Sequence, residues 1–418
     1  MKQIVFGVFI FLSVFVYVYT IKVCETFIEY DEPNNKHCYD DPDSELNVTQ
    51  IAKRRNYNVE EHFVTTTDGY ILFLARIYKN QNKNSPIILG HTMLQPCVSW
   101  VNRPEKSLAF FLADQGFEVW IPSFRASQYS LRHETLTIND DDFWKFSFYE
   151  LGVYDLSAIS KFVKKTTGRK ALYVGYSTGS TASYVYASHS PREAKENLQG
   201  IISFSPAAYV KDMKSLFRYL LPLVPLIRPL VYQFGHGGLF PDLKLLRAFC
   251  TGNSFLMILC ETTKVPFFGD NYPQLDPTYL PFVGGVNHDT FAVELANNLA
   301  DIQKYDKFMA NDYGRDENLK KYGESTPPIF KLSNIQVPVV LFWGENDWVA
   351  TKPNVDRLYS ELSENVRCGK IKVKDNKWNY NNFLEGKKYN SIIVHTTPGN
   401  NSNIDGWKML NLICYKLL

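Results

Sequence analysis

An α/β fold with a mostly parallel central sheet is predicted by three features of the sequence. Short runs that are apolar throughout recur along the chain, at residues 86–89, 117–121, 172–174, 201–204, 339–342 and 391–394. Helical patterns lie between most of these runs, as expected for parallel strands that are covered on both faces. Ahead of them, Asp68-Gly69 separates two alternating runs and predicts a hairpin.

A sharp turn from strand to helix is predicted at Gly175-Tyr176-Ser177-Thr178-Gly179. An apolar run at 171–174 precedes this segment, and a helix of small residues at 180–188 follows it. The glycines permit a strained backbone and close packing of helix on strand. Ser177 is therefore expected at the C-terminal edge of the sheet, where the helix N-terminus stabilises negative charge. This arrangement is typical of the α/β-hydrolase fold, and an ordinary βα turn is the alternative.

A serine nucleophile needs a base, and the base needs a carboxylate that orients it. In this fold the chain order is serine, acid, histidine. Asp347 follows the apolar run 339–342 and is the candidate acid, with Glu345 as the lesser candidate. Beyond Asp347 the sequence contains a single histidine, His395, at the end of the last apolar run.

Length and charge limit the classes of function. The 418 residues allow one large domain with an insertion or two ordinary domains. With 45 Lys and Arg against 43 Asp and Glu, the net charge of +2 produces no field that would attract nucleic acid, so no nucleic-acid partner is predicted.

The N-terminus predicts entry into the secretory pathway. An apolar run at 4–19 lies between Lys2 and Lys22, which is the layout of a signal peptide, with a retained membrane anchor as the alternative. In that compartment Asn47 and Asn400, each in an Asn-x-Ser/Thr tripeptide, are candidate glycosylation sites.

Secretion also allows the seven cysteines to be partly oxidised, and the odd number leaves at least one free or paired between chains. Cys250 and Cys260 are close enough in sequence for a local disulfide. Cys24 and Cys38 form a second candidate pair.

The pattern divides the chain into five segments. Residues 1–20 are the signal peptide or anchor, 21–50 a polar segment, 51–207 the first part of the α/β-hydrolase core, 208–326 an inserted helical segment, and 327–418 the second part of the core. The insertion is interpreted as a hydrophobic cap over the active site or, alternatively, as a covering layer for the sheet. Residues 369–390, rich in Lys, Asn and Tyr, are predicted to form a surface insertion.

Three further stretches extend the pattern, namely Thr67-Asp68-Gly69-Tyr70-Ile71-Leu72, Ser107-Leu108-Ala109-Phe110-Phe111-Leu112-Ala113-Asp114 and Phe143-Trp144-Lys145-Phe146-Ser147. With the Ser177 turn, they make the chain from about residue 52 resemble the acid lipase family, which includes gastric and lysosomal acid lipases. The resemblance implies a secreted or lysosomal hydrolase of acylglycerols or sterol esters, whose cap touches the lipid interface. It implies a cap disulfide between Cys250 and Cys260, and no metal or organic cofactor.

The resemblance assigns roles to individual residues. Ser177 and Asp347 match the nucleophile and the acid. The oxyanion hole falls on the backbone N–H groups of Met93 and Thr178, where this chain has His91-Thr92-Met93 for the family's His-Gly-Leu and Thr178 for its usual Gln. His91 and Arg125 are interpreted as structural.

The expected catalytic histidine is missing from this pattern. The family's closing Asn-His-Leu-Asp is placed on Ser402-Asn403-Ile404-Asp405, which puts Asn403 at the histidine position. An amide does not accept a proton at neutral pH. Two functions follow as expectations: a lipase in which His395 serves as the base for Ser177, or a catalytically silent relative that binds or carries lipid. A degraded or wrongly assembled copy of a lipase is the third alternative.

Overall fold

The computed structural model describes residues 21–387, except 33, 80–85, 104–105, 240–249, 252 and 283–288. This part of the chain contains a nine-stranded sheet and two small two-stranded sheets. The strands are β1 (Ile21–Val23), β2 (Tyr39–Asp41), β3 (Asn58–Thr65), β4 (Tyr70–Tyr78), β5 (Ile87–Gly90), β6 (Val119–Pro122), β7 (Arg132–His133), β8 (Ala171–Tyr176), β9 (Leu198–Phe204), β10 (Gly238–Leu239), β11 (Phe291–Ala292), β12 (Val339–Trp343) and β13 (Arg367–Lys372).

Helices connect most of these strands. The α-helices of the described residues are α1 (Val48–Arg54), α2 (Leu108–Asp114), α3 (Phe148–Glu150), α4 (Ser157–Thr167), α5 (Thr178–His189), α6 (Pro191–Asn197), α7 (Phe217–Leu220), α8 (Val224–Gly235), α9 (Ser254–Phe268), α10 (Val293–Tyr305), α11 (Arg315–Tyr322), α12 (Lys352–Glu361) and α13 (Asn382–Glu385). A π-helical segment, Leu151–Leu156, joins α3 to α4. Short 3₁₀ helices lie at Ile28–Asp31, Pro42–Glu45, Cys97–Trp100, Asp141–Trp144, Leu221–Leu223, Tyr272–Gln274, Leu280–Phe282, Leu332–Asn334 and Glu364–Val366.

The large sheet has the order β13-β12-β9-β8-β5-β6-β4-β3, with β7 paired to β4. From β6 to β13 neighbouring strands are parallel, whereas the hairpin partners β3 and β4 are antiparallel. This topology confirms the predicted α/β-hydrolase fold. Five of the six predicted apolar runs contain strands of this sheet, and the sixth, at 391–394, lies outside the described residues.

Both faces of the sheet are buried because its strands are apolar at successive positions. In β4, Leu72 and Leu74 join one apolar cluster while Phe73 and Ala75 join the other. Side chains of α4, α5 and α12 complete the first cluster, and those of α1, α2 and α13 complete the second. A sheet covered on two sides leaves the C-terminal ends of its parallel strands as the place for a site.

The prediction that residues 369–390 form a surface insertion is wrong in part. It begins inside the edge strand β13, and residues 378–385 are buried, Trp378 to 1% exposure. Polar residues can be buried here because they satisfy each other: the backbone N–H of Asn379 donates to the Asn382 side chain, and that of Asn382 donates to the Asn379 side chain. This buried segment, 378–385, is called the closing segment below.

Between β9 and β12 the chain forms the region predicted as a cap, which contains α7 to α11. Two disulfides are present, Cys250–Cys260 in this region and Cys24–Cys38 in the N-terminal segment. Among the described residues no helix combines the length and apolar character needed to cross a membrane. The proposed signal peptide or anchor, residues 1–20, lies outside them.

Candidate active site

Five strands end at one place on the sheet and supply the candidate site. The C-terminal ends of β5, β8, β9 and β12 lead to Thr92, Ser177, Ser205 and Asp347, and the loop after β13 leads to Tyr380. Two of these residues, Ser205 and Tyr380, were not singled out from the sequence.

Ser177 sits in a strained turn. Its backbone has φ 50° and ψ −112°, and its N–H donates to the carbonyl of Phe204 over 2.9 Å. A Cβ on Gly175 would lie 2.7 Å from the Ser180 nitrogen, and one on Gly179 would lie 2.6 Å from the Gly90 carbonyl oxygen. Neither position therefore admits a side chain, which is the physical reason for the two glycines of the motif. Such strain, about 1–3 kcal/mol, persists only where the surrounding structure imposes it.

Among the described residues, Asp347 is held by a serine hydroxyl and two backbone N–H groups. Its Oδ2 accepts from the Ser205 hydroxyl over 2.6 Å, and its Oδ1 accepts from the backbone N–H groups of Val349 and Ala350 over 2.9 and 2.8 Å. Burial raises the pKa of Asp347 from 3.8 to about 6, although these hydrogen bonds act in the opposite direction. The position expected for the triad acid is thus occupied by a buried carboxyl group paired with a serine.

Tyr380 lies where the base of a serine nucleophile belongs. Its hydroxyl lies 3.2 Å from Thr92 Oγ1, and the Ser177 and Thr92 hydroxyl groups lower its pKa whereas the charge of Asp347 raises it. Burial has the largest effect and raises the pKa of Tyr380 above its ordinary value of 10, so the phenol keeps its proton at neutral pH. A neutral phenol does not take the proton of a serine hydroxyl.

Aromatic rings hold Tyr380 between cap and core. Phe268, at the end of α9, stacks on Tyr380 with ring centroids 4.8 Å apart, and Tyr176 lies on the core side at 5.0 Å. The Tyr176 hydroxyl also donates to the Tyr380 carbonyl over 3.0 Å. Ser177 is only 3% exposed beneath this arrangement.

The two residues predicted for the oxyanion hole are adjacent. The backbone N–H of Met93 donates to Oγ1 of Thr178 over 2.7 Å. Both residues line a cavity whose other walls include Phe124, Leu151 and Leu295. The cavity therefore reaches Thr178, the residue that follows Ser177 in the chain.

Two residues interpreted as structural are fixed by their contacts. His91 Nε2 accepts from the Phe124 N–H over 3.0 Å, while its Nδ1 lies 3.0 Å from the Thr92 carbonyl oxygen, so both ring nitrogens are engaged. Arg125 is buried and donates to the carboxylates of Asp155 and Asp68. Neither side chain is available as a base.

Several predicted residues cannot be placed in the site. His395, Asn403 and Asn400 lie outside the described residues. Asn47 serves as the N-cap of α1, where its side chain accepts from the Gln50 N–H over 2.9 Å. Within the described ranges no cluster of three or more His, Cys, Asp or Glu side chains is arranged to hold a metal ion.

Comparison with known proteins places this geometry in a family. The α/β hydrolase fold model matches residues 85–385, and a partial α/β-hydrolase lipase region matches residues 48–104. The bovine gastric triacylglycerol lipase is 32% identical over 336 residues, covering 77% of this chain and 83% of the relative. The chain belongs to the acid lipase family of α/β hydrolases. Human lysosomal acid lipase/cholesteryl ester hydrolase, at 31% identity over 373 residues, covers 84% of this chain and 91% of its own length.

A structural comparison agrees with the fold of this acid lipase relative. A candidate lipase from Sulfolobus solfataricus superposes with a TM-score of 0.53 at 13% identity, covering 86% of this chain and 94% of that protein. By family and fold, the chain is a lipase-like protein. The region matched to the hydrolase fold ends at residue 385, so it includes Tyr380 but neither His395 nor Asn403.

Proposed function

We propose that this acid lipase relative binds a lipid ester at Ser177 and hydrolyses it slowly or not at all. The observation that carries the proposal is the protonated Tyr380 phenol, which lies 3.2 Å from Thr92 Oγ1 and close enough to the Ser177 hydroxyl for that group to act on its pKa. Without a base the serine hydroxyl stays a weak nucleophile. The oxyanion hole and binding alone provide only a small part of the catalysis of a complete triad.

We place the family's closing motif at Asn379-Tyr380-Asn381-Asn382 rather than at 402–405. Tyr380 follows the strand after Asp347, which matches the order serine, acid, histidine. Asn379 corresponds to the first residue of Asn-His-Leu-Asp, and Tyr380 then replaces the histidine. The substitution, and not a distant asparagine, would be what removes the base.

The ligand we propose is an acylglycerol or a sterol ester. The relatives are named as a triacylglycerol lipase and a cholesteryl ester hydrolase. One side of the cavity beside Met93 and Thr178 is apolar, with Phe124, Leu151, Phe291 and Leu295, and we propose that an acyl chain enters along this side, whereas His91, Ser127 and Asp289 line the rest. Charged residues in this cavity wall, such as Arg125, are neutralised by partners of the core.

We further propose that residues 208–326 act as a cap that meets a lipid interface. The helix α8 exposes an apolar row at Leu226, Leu230 and Phe234, spaced by four residues and 73%, 54% and 79% exposed. On α9, Phe255 is 69% exposed. An exposed apolar surface of this kind is typical of a membrane or lipid contact. A secretory or lysosomal location accords with the gastric and lysosomal relatives and with the two disulfides.

The test combines binding and turnover on one ligand. The full chain is incubated with vesicles containing a fluorescent cholesteryl ester or triacylglycerol, re-isolated, and assayed for bound ester and released fatty acid. The proposal expects bound intact ester and little fatty acid, unchanged in Ser177→Ala. Rapid release of fatty acid that Ser177→Ala abolishes would overturn it, as would the absence of any bound lipid.

A working lipase is the second candidate, favoured by the strained backbone of Ser177, which retains the geometry of a nucleophile. In that case His395 supplies the base. His395→Ala would then abolish ester hydrolysis, whereas the binding proposal expects no effect of this substitution.

A further inference from the structure

The oxyanion hole of this site is occupied by the protein itself. Met93 would offer its N–H to the oxygen of a substrate, but that N–H already donates to Oγ1 of Thr178 over 2.7 Å. The same oxygen lies 3.0 Å from Oγ1 of Thr92, which in turn lies 3.2 Å from the Tyr380 hydroxyl. A chain of hydroxyl groups therefore runs from Tyr380 through Thr92 and Thr178 to the Met93 N–H of the hole.

We propose that the side chain of Thr178 is an internal plug that selects the state of the ligand. The plug denies a tetrahedral oxyanion the Met93 N–H, one of its two expected donors, and thereby favours the intact, trigonal ester. The inference rests on the proposed binding of a lipid ester at Ser177 and adds the residue that determines which form of that ester is held.

The branching of Thr178 at Cβ explains why a change of rotamer does not readily free the Met93 N–H. Its Cβ carries two heavy atoms, so two of the three staggered rotamers place either Oγ1 or the methyl group in front of the Met93 N–H. The residue is 7% exposed, and the contact with Thr92 holds the hydroxyl rotamer. A glutamine, unbranched at Cβ, would have two rotamers that clear this point.

The plug also links the hole to Tyr380. Thr92 contacts both Thr178 Oγ1 and the Tyr380 hydroxyl. If the Thr178 side chain left the hole, its hydrogen bond with Thr92 would break, and Thr92 is also the residue that contacts Tyr380. The two departures from a working lipase site thus stabilise each other through Thr92.

The experiment uses an alkyl trifluoromethyl ketone, which forms an anionic hemiketal when Ser177 Oγ bonds to its carbonyl carbon and the serine proton is released to solvent, so that the former carbonyl oxygen becomes an oxyanion. Its dissociation constant is measured by fluorine NMR for the native chain and for Thr178→Ala, Thr178→Ser and Thr178→Val. We expect Thr178→Ala to tighten binding at least tenfold, since a donor to an oxyanion contributes about 10²-fold or more. Thr178→Ser is expected to be intermediate, and Thr178→Val, which keeps the shape, to give no gain.

Equal affinities in Thr178→Ala and Thr178→Val would overturn the plug. Thermal unfolding of each variant verifies folding, and Thr178→Ser gives the most conservative test. The fluorescent ester of the binding assay separates the two proposals. The plug predicts that Thr178→Ala raises the affinity for the ketone by a larger factor than the affinity for the ester, whereas an absence of ester binding in every variant contradicts only the proposed function.

Discussion

The hydroxyl of Ser205 donates to Oδ2 of Asp347 over 2.6 Å and thereby takes the carboxylate oxygen that Val349 and Ala350 leave free. Ser205 adopts φ 47° directly after β9, and this turn directs it toward Asp347. In a serine hydrolase the acid orients an imidazole. Among the described residues, this acid is satisfied by Ser205 and two backbone N–H groups, which fits the proposal that Tyr380 takes the place of the base.

Replacing Asp347 with asparagine tests the charge state of this carboxyl. Because burial raises its pKa from 3.8 to about 6, Asp347 favours the folded state below pH 4 and loses this contribution as the pH rises through about 6. At roughly 1.4 kcal/mol per pKa unit, the full shift corresponds to about 3 kcal/mol. Urea unfolding at pH 4 and pH 7 is expected to show a smaller loss of stability for Asp347→Asn than for the native chain. If the free energy of unfolding changed equally with pH in both proteins, the raised pKa of Asp347 would be contradicted.

Removing the Ser205 hydroxyl is expected to destabilise the fold. In Ser205→Ala, Oδ2 of the buried Asp347 loses its donor, which costs about 1–3 kcal/mol. The pKa of Asp347 should rise further, because the lost hydrogen bond lowers it. Chemical denaturation measures the first effect. Ser188→Ala is the control, since that buried hydroxyl donates only to the Val185 carbonyl of its own helix, and an equal loss there would remove the special role of Ser205.

Phe268 is expected to control access to the site. Its ring stacks on Tyr380 at 4.8 Å, so Phe268→Ala removes the cap contact that covers the closing segment. Stopped-flow mixing with the fluorescent ester should show entry accelerated severalfold. The matched control is Phe267→Ala, because Phe267 packs on Phe217 at 4.9 Å. If both variants accelerate entry equally, the Phe268–Tyr380 contact is not the barrier.

The fold was predictable because its signals are local. The strand, the turn with its two glycines and the small-residue helix are contiguous in sequence, and each has a direct steric reason. The position of Asp347 in the loop after β12 was predictable for the same reason, because the strand that precedes it is apolar throughout.

Tyr380 and Ser205 were not predictable because their roles depend on contacts between distant segments. The closing segment has a polar composition that resembles a surface loop, and contacts with distant residues bury it, among them the stacking of Phe268 and the hydrogen bonds of Asn379 with Gly269 and of Asn382 with Asn271. One signal is present in the sequence: on the proposed placement, Asn379 followed by Tyr380 preserves the first residue of the family's closing motif. The apolar run at 391–394 is a stronger strand signal than the polar residues of β13, so it predicts the end of the sheet beyond the closing segment.

The most direct test of the account is ester hydrolysis by Tyr380→His compared with the native chain. A histidine at this position would accept the Ser177 proton, and a general base typically contributes about 10²–10⁴-fold. With p-nitrophenyl esters as substrate, we expect kcat to rise by about 10²-fold, the gain to disappear in Ser177→Ala/Tyr380→His, and His395→Ala to leave the native rate unchanged. Fast hydrolysis by the native chain that His395→Ala abolishes would contradict the account.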